Sequence, residues 1–147
     1  MKGYMPDSYK PGASLRAWRD FFQNGEIHGV DVAPDCQFSE PRITTHLCDS
    51  TDPAGCSAWA QQRSFDIIID DGSHWDQHQL ATLQNLWSSV KLGGYYVIED
   101  VTPDSLVSRE PHRVHQIVGD VGIFFCGLKS NMCVIHKVPL QCCREHF

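Results

Sequence analysis

Two predicted strands joined by a long amphipathic helix occupy residues 65–99, and this order constrains the fold more than any other feature. The run FDIIID (65–70) is dominated by isoleucine, which is typical of a strand buried on both faces in a parallel sheet. Apolar residues then recur at helical spacing and predict one buried helix face: Leu80, Leu83, Trp87 and Val90. Gly93-Gly94 are expected to end the helix before the strand YYVIE (95–99). Alternating strands and helices indicate an α/β fold.

Shorter elements are predicted on both sides of this segment. Ser14 resembles a helix N-cap, and apolar residues follow it at helical spacing, namely Leu15, Trp18 and Phe22. Strands are expected at 26–32 and 42–48, a short helix at 52–62, and two strands around a turn at 124–126 and 132–137. Together they predict a Rossmann-like sheet, mainly parallel with an antiparallel C-terminal hairpin. We expect one domain over residues 1–140 and a tail at 141–147.

Composition and charge exclude several classes of partner. The 147 residues carry a formal net charge of −6, whereas nucleic acids and anionic membranes require a basic surface. No apolar run approaches the roughly 20 residues of a transmembrane helix, and the N-terminus has no apolar signal segment, which favours a cytoplasmic location. The seven cysteines are odd in number and form no CxxC pair, so reduced thiols are expected. Cys142, Cys143 and His146 leave a metal in the tail as a weaker alternative.

Acidic residues lie at the ends of four successive predicted strands, at the edge where open α/β sheets bind ligands. They are Asp31, Asp49, the pair Asp70-Asp71 and the pair Glu99-Asp100. Asp31 is placed to accept hydrogen bonds from ribose hydroxyls, and Asp49 to reach an adenine amino group. These two roles fit any adenosine cofactor, NAD included.

The last two strand ends indicate a metal. If the strands are neighbours, Asp71, Glu99 and Asp100 converge on one point, and oxygen ligands suit Mg²⁺. The alternative is that these carboxylates are solvated or cap helices. His74, three residues after Asp71, is expected at the first turn of the long helix, away from its buried face. It is a candidate general base, although a histidine at a helix start is often incidental.

Two long motifs resemble a known enzyme family. The segment SFDIIIDDGSHWDQHQLATLQNLWSSVKLGGYYVIEDV is similar to the fourth-strand to fifth-strand region of class I S-adenosylmethionine-dependent methyltransferases. More narrowly, DDGSH followed by GGYYVIED resembles the metal-dependent macrolide sugar O-methyltransferases of the mycinamicin type. It is also similar to the cephalosporin-hydroxylase-like and rhamnosyl O-methyltransferase group. PGASLRAWRDFF and IHGVDVAP match that group's opening helix and second strand, so the resemblance covers roughly residues 3–137.

The resemblance implies roles for individual residues. Mg²⁺ would be held by Asp71, Glu99 and Asp100, and His74 would act as the base. S-adenosylmethionine would be bound by its ribose at Asp31 and its adenine at Asp49. Further donor contacts are implied at four more places in the chain: Ser14, the pair Gly3-Tyr4, Ser50 and Asp70.

The resemblance also implies a departure, because family members begin this domain with a strand and a glycine-rich turn. Here only Gly3-Tyr4 match that turn, so we expect a missing first strand, unpaired strand edges and weakened donor binding. The implied function is Mg²⁺-assisted methyl transfer to a small-molecule hydroxyl, in particular that of a sugar on a natural product. A non-catalytic remnant that binds the donor or a partner is the alternative. A nucleotide-binding oxidoreductase is disfavoured because the glycine fingerprint is missing, and a homo-oligomer is left open.

Overall fold

The computed structural model describes residues 10–127 and 131–138. The chain divides into two compact units, Met1–Asp49 and Ser50–Phe147. Within the described residues, no helix has the length and apolar character that crossing a bilayer requires. Gly3, Tyr4 and the predicted tail lie outside the described residues.

The first unit is a helix and a three-stranded sheet. Its elements are α1 (Ala13–Phe21), β1 (Ile27–Asp31), a 3₁₀ turn (Pro34–Cys36), β2 (Ser39–Glu40) and β3 (Ile43–Leu47). The strand order is β1-β3-β2, with β1 parallel and β2 antiparallel to β3. The strands predicted at 26–32 and 42–48 are therefore confirmed as β1 and β3.

Helix α1 begins one residue before the predicted cap. Gly12 precedes the helix with a φ of 87°, and Ser14 lies inside the first turn, so the prediction of Ser14 as N-cap is wrong. Glycine adopts this left-handed conformation without a steric penalty, which makes it suitable at this position. Gly29 allows α1 to approach β1 closely, because a Cβ there would lie 2.6 Å from Leu15 Cδ1.

The second unit contains a four-stranded sheet and four helices in its described part. Its elements are α2 (Cys56–Ala60), β4 (Phe65–Asp70), α3 (Asp76–Leu86), β5 (Val90–Ile98), α4 (Leu106–Arg109), α5 (Pro111–Val118), β6 (Gly122–Gly127) and β7 (Met132–Lys137). The strand order is β4-β5-β7-β6. Strand β4 is parallel to β5, whereas β7 is antiparallel to both β5 and β6. The predicted parallel pair and the antiparallel C-terminal hairpin are confirmed.

The mixed character of the sheets corrects the prediction of a mainly parallel sheet. The described strands form two sheets, with two parallel and three antiparallel pairings. Antiparallel pairings outnumber parallel ones because β2 folds back on β3 and because β7 of the hairpin β6–β7 pairs with β5 in the antiparallel direction. The overall class, α/β, is unaffected.

The long helix ends earlier than the glycines predict. Helix α3 stops at Leu86, a 3₁₀ turn (Trp87–Ser89) follows, and Gly93 and Gly94 lie inside β5. A Cβ at Gly94 would lie 2.7 Å from the carbonyl oxygen of Asp66, so glycine is needed where β5 meets β4. The pairing register also shifts between Phe65 and Ile67 at this point. These glycines therefore serve an irregular strand pairing instead of a helix end.

One face of the second sheet forms the core of its unit. Tyr96, Ile98 and Ile135 are fully buried, as are Leu83 of α3 and Val114 of α5. On the opposite face, a row of registered residues crosses the sheet, and Ile67, Tyr95 and Ile123 in this row are 39%, 41% and 41% exposed. The prediction that β4 is buried on both faces is therefore wrong.

Candidate functional site

Three side chains that can bind a metal meet at the carboxyl ends of β4 and β5. Asp71 follows β4 and Asp100 lies just beyond β5, and the imidazole of His74 lies between them. His74 Nε2 is 3.1 Å from Asp71 Oδ1, and His74 Nδ1 is 3.2 Å from Asp100 Oδ2. The potential ligand atoms of the three residues all lie within 4.8 Å of one another. The parallel pairing of β4 and β5 explains this convergence, because it places both strand ends at one edge.

The backbone of this cluster is strained at two of its three members. His74 has a φ of 59° and Asp100 a φ of 53°, in the left-handed region that side chains other than glycine rarely adopt. Such a conformation costs on the order of 1–3 kcal/mol and is typical of functional sites. His74 lies in the loop before α3, which begins at Asp76, so the prediction that it sits in the first helical turn is wrong.

Glu99 lies beside this cluster but is not one of its members. Burial raises the pKa of the Glu99 carboxyl, and the nearby carboxylates of Asp71 and Asp100 raise it further. The Glu99 carbonyl oxygen accepts a hydrogen bond of 3.1 Å from Nε2 of the buried Gln79. Metal ligation by Glu99 therefore stays a prediction. Gln79 was missed, because no pattern in the sequence distinguishes a buried glutamine of a helix from an exposed one.

Asp70 is buried, in contrast to its neighbour Asp71. Its side chain is 9% exposed, and Oδ1 accepts a hydrogen bond of 3.2 Å from the Gly72 amide. Within the described residues, Oδ2 is buried with no hydrogen-bond partner, as is the Tyr96 hydroxyl. Burial raises the pKa of Asp70 to about 6, against the opposing effect of the Gly72 hydrogen bond. The structure thus places Asp70 as a buried support of the Asp71 loop, and donor binding by Asp70 stays a prediction.

The other predicted donor ligands lie at several places in the fold. Asp31 ends β1, and its Oδ1 accepts a 2.7 Å hydrogen bond from the amide of Ala33. Asp49 is exposed just after β3, and Ser14 is exposed in α1. All three belong to the first unit. Roles of these three residues in donor binding stay predictions.

Ser50, the next predicted donor ligand, belongs to the second unit and is tied to α3. Its hydroxyl lies 2.9 Å from Thr82 Oγ1, and its carbonyl accepts a 2.9 Å hydrogen bond from Asn85 Nδ2. These two contacts fix the chain that enters the second unit. A role for Ser50 in donor binding stays a prediction.

An exposed aromatic residue, Trp75, follows His74 directly in the chain. Trp75 is 71% exposed, and its indole stacks on His78 with ring centroids 5.5 Å apart. The Nδ1 atom of His78 lies 2.8 Å from Ser73 Oγ, which fixes the imidazole. The loop DGSHW (71–75) therefore carries two members of the cluster, Asp71 and His74, and an oriented indole.

The fold defines the class of protein, a mixed α/β unit of the methyltransferase type. The chain superposes with a TM-score of 0.76 on MycE methyltransferase from the mycinamycin biosynthetic pathway, solved in complex with Mg and SAH. The two sequences are 25% identical, and the match covers 99% of this chain and 44% of that chain. A second structure, of the same enzyme with Mg, SAH and mycinamycin VI, matches with a TM-score of 0.73 over 88% of this chain and 40% of that one.

Curated proteins similar to this chain are O-methyltransferases. Demethylmacrocin O-methyltransferase of Streptomyces fradiae is 45% identical over 92 residues, or 61% of this chain and 23% of that protein. An 8-demethyl-8-alpha-L-rhamnosyl tetracenomycin-C 2'-O-methyltransferase of Streptomyces olivaceus is 38% identical over 100 residues, or 67% of this chain and 26% of that protein. Mycinamicin VI 2''-O-methyltransferase of Micromonospora griseorubida is 41% identical over 91 residues, or 61% of this chain and 23% of that protein.

These comparisons confirm the resemblance that the motifs DDGSH and GGYYVIED indicated. The chain spans about a quarter of the length of the curated relatives it matches, since the three coverages are 23%, 26% and 23%. No family model matches the chain.

Proposed function

We propose that this chain carries the metal-binding and base-bearing part of an S-adenosylmethionine-dependent O-methyltransferase that acts on a sugar hydroxyl of a glycosylated natural product. The cluster of Asp71, His74 and Asp100 carries the proposal, because it joins two carboxylates and an imidazole at one sheet edge. The similarity to sugar O-methyltransferases supports the reaction class.

The residues at this edge suit Mg²⁺, which prefers carboxylate oxygens and keeps open positions for water or substrate. Asp71 and Asp100 are exposed, and each lies close to one ring nitrogen of His74. Glu99 is the proposed third carboxylate. When bound, the ion would supply Lewis acidity that lowers the pKa of an acceptor hydroxyl. The buried Asp70 and the hydrogen bond from Gln79 to Glu99 would hold the two strand ends in place.

His74 is the proposed general base. Its two ring nitrogens face different carboxylates, at 3.1 Å and 3.2 Å, so the ring plane is fixed by Asp71 and Asp100. A neutral imidazole carries one N–H, which would donate to one of these carboxylates. With the other carboxylate turned away, the unprotonated ring nitrogen would take the proton of the acceptor hydroxyl. The deprotonated oxygen would then attack the methyl group of the sulfonium donor, with S-adenosylhomocysteine as the leaving group.

The donor roles rest on the resemblance. Asp31 is proposed to bind the ribose and Asp49 the adenine of S-adenosylmethionine. The remaining proposed contacts are those of Ser14, Gly3, Tyr4, Ser50 and Asp70. The exposed indole of Trp75 is proposed to border the acceptor, since it lies next to the base in the chain and is oriented by His78.

A methyl-transfer assay with labelled donor and a panel of sugar-bearing acceptors, including mycinamicin VI, tests this function. His74→Ala is expected to lower the rate about 10²–10⁴-fold, the usual effect of losing a general base. The affinity for S-adenosylhomocysteine, measured by calorimetry, should stay unchanged in this variant. His112→Ala, which removes an exposed histidine of α5, is the matched control and should behave like the wild type.

The same assay separates the metal from the base. Asp71→Ala should abolish both activity and its dependence on Mg²⁺, and EDTA should mimic this variant until Mg²⁺ is restored. Full activity in EDTA would refute the metal mechanism even if methyl transfer were observed. Donor and Mg²⁺ binding without transfer to any acceptor would favour the non-catalytic alternative.

A further inference from the structure

A pair of histidines on the first sheet is separate in sequence from the acidic cluster and has no role in the proposed reaction. His28 lies on β1 and His46 on β3, two parallel strands in which His28 pairs with Thr44 and Val30 pairs with His46. Because side chains alternate along a strand, the two histidines lie on the same face of the sheet. Nδ1 of His28 and Nε2 of His46 are 3.1 Å apart. The pairing of the strands thus brings two imidazole nitrogens together across one sheet face.

The separation of these nitrogens fits two adjacent positions around one metal ion. Imidazole nitrogens bind Zn²⁺ at about 2.0–2.1 Å. Two such bonds whose nitrogens are 3.1 Å apart enclose an angle of about 98° at the ion. This angle lies between the right angle of an octahedral site and the wider angle of a tetrahedral one. Both rings can therefore bind one ion once they rotate so that the two lone pairs point at it, with no change in the pairing of the strands.

The chemistry of the pair selects a different ion from that of the acidic cluster. Imidazole favours Zn²⁺, Cu²⁺ and Ni²⁺, whereas carboxylates suit Mg²⁺. The His28 ring is exposed and the His46 ring is half-buried, so an ion from solvent can reach the pair and keep water as its other ligands. We propose that His28 and His46 form a site for a divalent transition-metal ion, with Zn²⁺ as the ion expected, that links β1 to β3. The site is independent of the proposed methyl transfer.

The occupant that competes with the ion is a proton. When no metal is bound, one ring can donate a hydrogen bond to the other across the same 3.1 Å. Zn²⁺ binding must displace this proton, because a ligating nitrogen cannot carry one. If the ion binds the folded sheet more tightly than the cysteines and histidines of the unfolded chain, Zn²⁺ should raise the melting temperature of the first unit.

A Zn²⁺ titration of the full chain, followed by the imidazole ¹⁵N resonances, tests the proposal. The protein is first treated with EDTA, desalted and supplied with excess Mg²⁺, so that Zn²⁺ has to compete with Mg²⁺ for the acidic cluster. The resonances of His28 and His46 should shift first, before those of His112. The titration is repeated in an Asp71→Asn background, where the response of the pair should be the same.

Substitution supplies the second measurement. His28→Gln and His46→Gln should each weaken Zn²⁺ binding at least tenfold, since even the loss of an outer-shell partner costs about 10–100-fold. His112→Gln should leave the affinity unchanged. Zn²⁺ affinity that is equal in both variants and the wild type, or a shift confined to His74, would overturn the proposal. Neither outcome bears on methyl transfer, which has its own assay.

Discussion

The two units of the chain are stabilised in different ways. The second unit has a packed apolar core in which Leu83, Tyr96 and Ile135 are fully buried. Among the described residues of the first unit, Ile43 is the buried apolar side chain, and α1 buries none of its residues. The first unit is tied together by polar contacts instead. We infer that its stability depends on charge and pH, whereas that of the second unit depends on apolar burial.

The polar contacts of the first unit centre on Glu40. Its carboxylate accepts hydrogen bonds from Arg16 Nε at 3.0 Å and Arg19 Nη1 at 3.1 Å, which ties β2 to α1. Arg42 donates to the carbonyls of Arg19, Phe22 and Gly25 at the end of the same helix. Arginine and carboxylate pair through several parallel hydrogen bonds, so this arrangement fixes direction as well as charge.

The largest difference between the stabilities of the two units should follow from truncating a core side chain of the second unit. Leu83→Ala is expected to cost the second unit about 2–5 kcal/mol of unfolding free energy, because it leaves a cavity in a filled core. Leu92→Ala is the matched control, since this leucine is 65% exposed. Native-state hydrogen exchange reports each unit separately. We expect faster exchange in β5 and unchanged exchange in β1. Equally accelerated exchange in both units would mean that they unfold together.

A second, smaller effect concerns Glu40 and pH. The hydrogen bonds from Arg16 lower the pKa of the Glu40 carboxyl below its ordinary value. A carboxyl with a lowered pKa stabilises the fold above its unfolded-state pKa, and that contribution is lost as the pH falls through the lowered value. Glu40→Gln should therefore accelerate exchange in the first unit at neutral pH and have little effect in strong acid. Glu26→Gln, at an exposed glutamate, is the control, and equal behaviour of the two variants would contradict this account.

The smallest effect is expected from an ion pair on the surface of the second unit. Lys91 Nζ lies 2.9 Å from Asp66 Oδ2, and both side chains are largely exposed. Solvent screening limits such a pair to about 0–1 kcal/mol. Lys91→Gln should accordingly change the unfolding free energy by no more than that in a urea titration. A larger loss of unfolding free energy would show that charge also stabilises the second unit, and would contradict the proposed difference between the two units.

Sequence analysis predicted the parts of the fold that depend on local pattern. The strands at 65–70 and 132–137 are confirmed, because alternating or continuous apolar runs with turn residues on both sides fix them locally. The end of α3 was missed because Gly93 and Gly94 serve a strand pairing, which is a tertiary requirement. A glycine pair in the sequence does not distinguish a helix end from a close approach of two strands.

The same division applies to the candidate site. The meeting of Asp71 and Asp100 follows from the parallel pairing of two neighbouring strands, which the sequence predicted. The position of His74 between them depends on its left-handed backbone, with a φ of 59°, and no residue pattern indicates that conformation for histidine. The burial of Asp70 was also missed, because adjacent aspartates look alike in a sequence although the chain turns them in different directions.

The most direct test of the metal-binding proposal uses Mn²⁺ as a paramagnetic substitute for Mg²⁺. The account predicts that Mn²⁺ selectively broadens the amide resonances of Asp71, Gly72, His74 and Asp100, and that excess Mg²⁺ restores them. Asp100→Asn should weaken this broadening, whereas Asp104→Asn, at an exposed aspartate four residues further on, should leave it unchanged. Broadening that spares these amides in the wild type, or that is as strong in Asp100→Asn, would contradict the proposed metal site and the mechanism built on it.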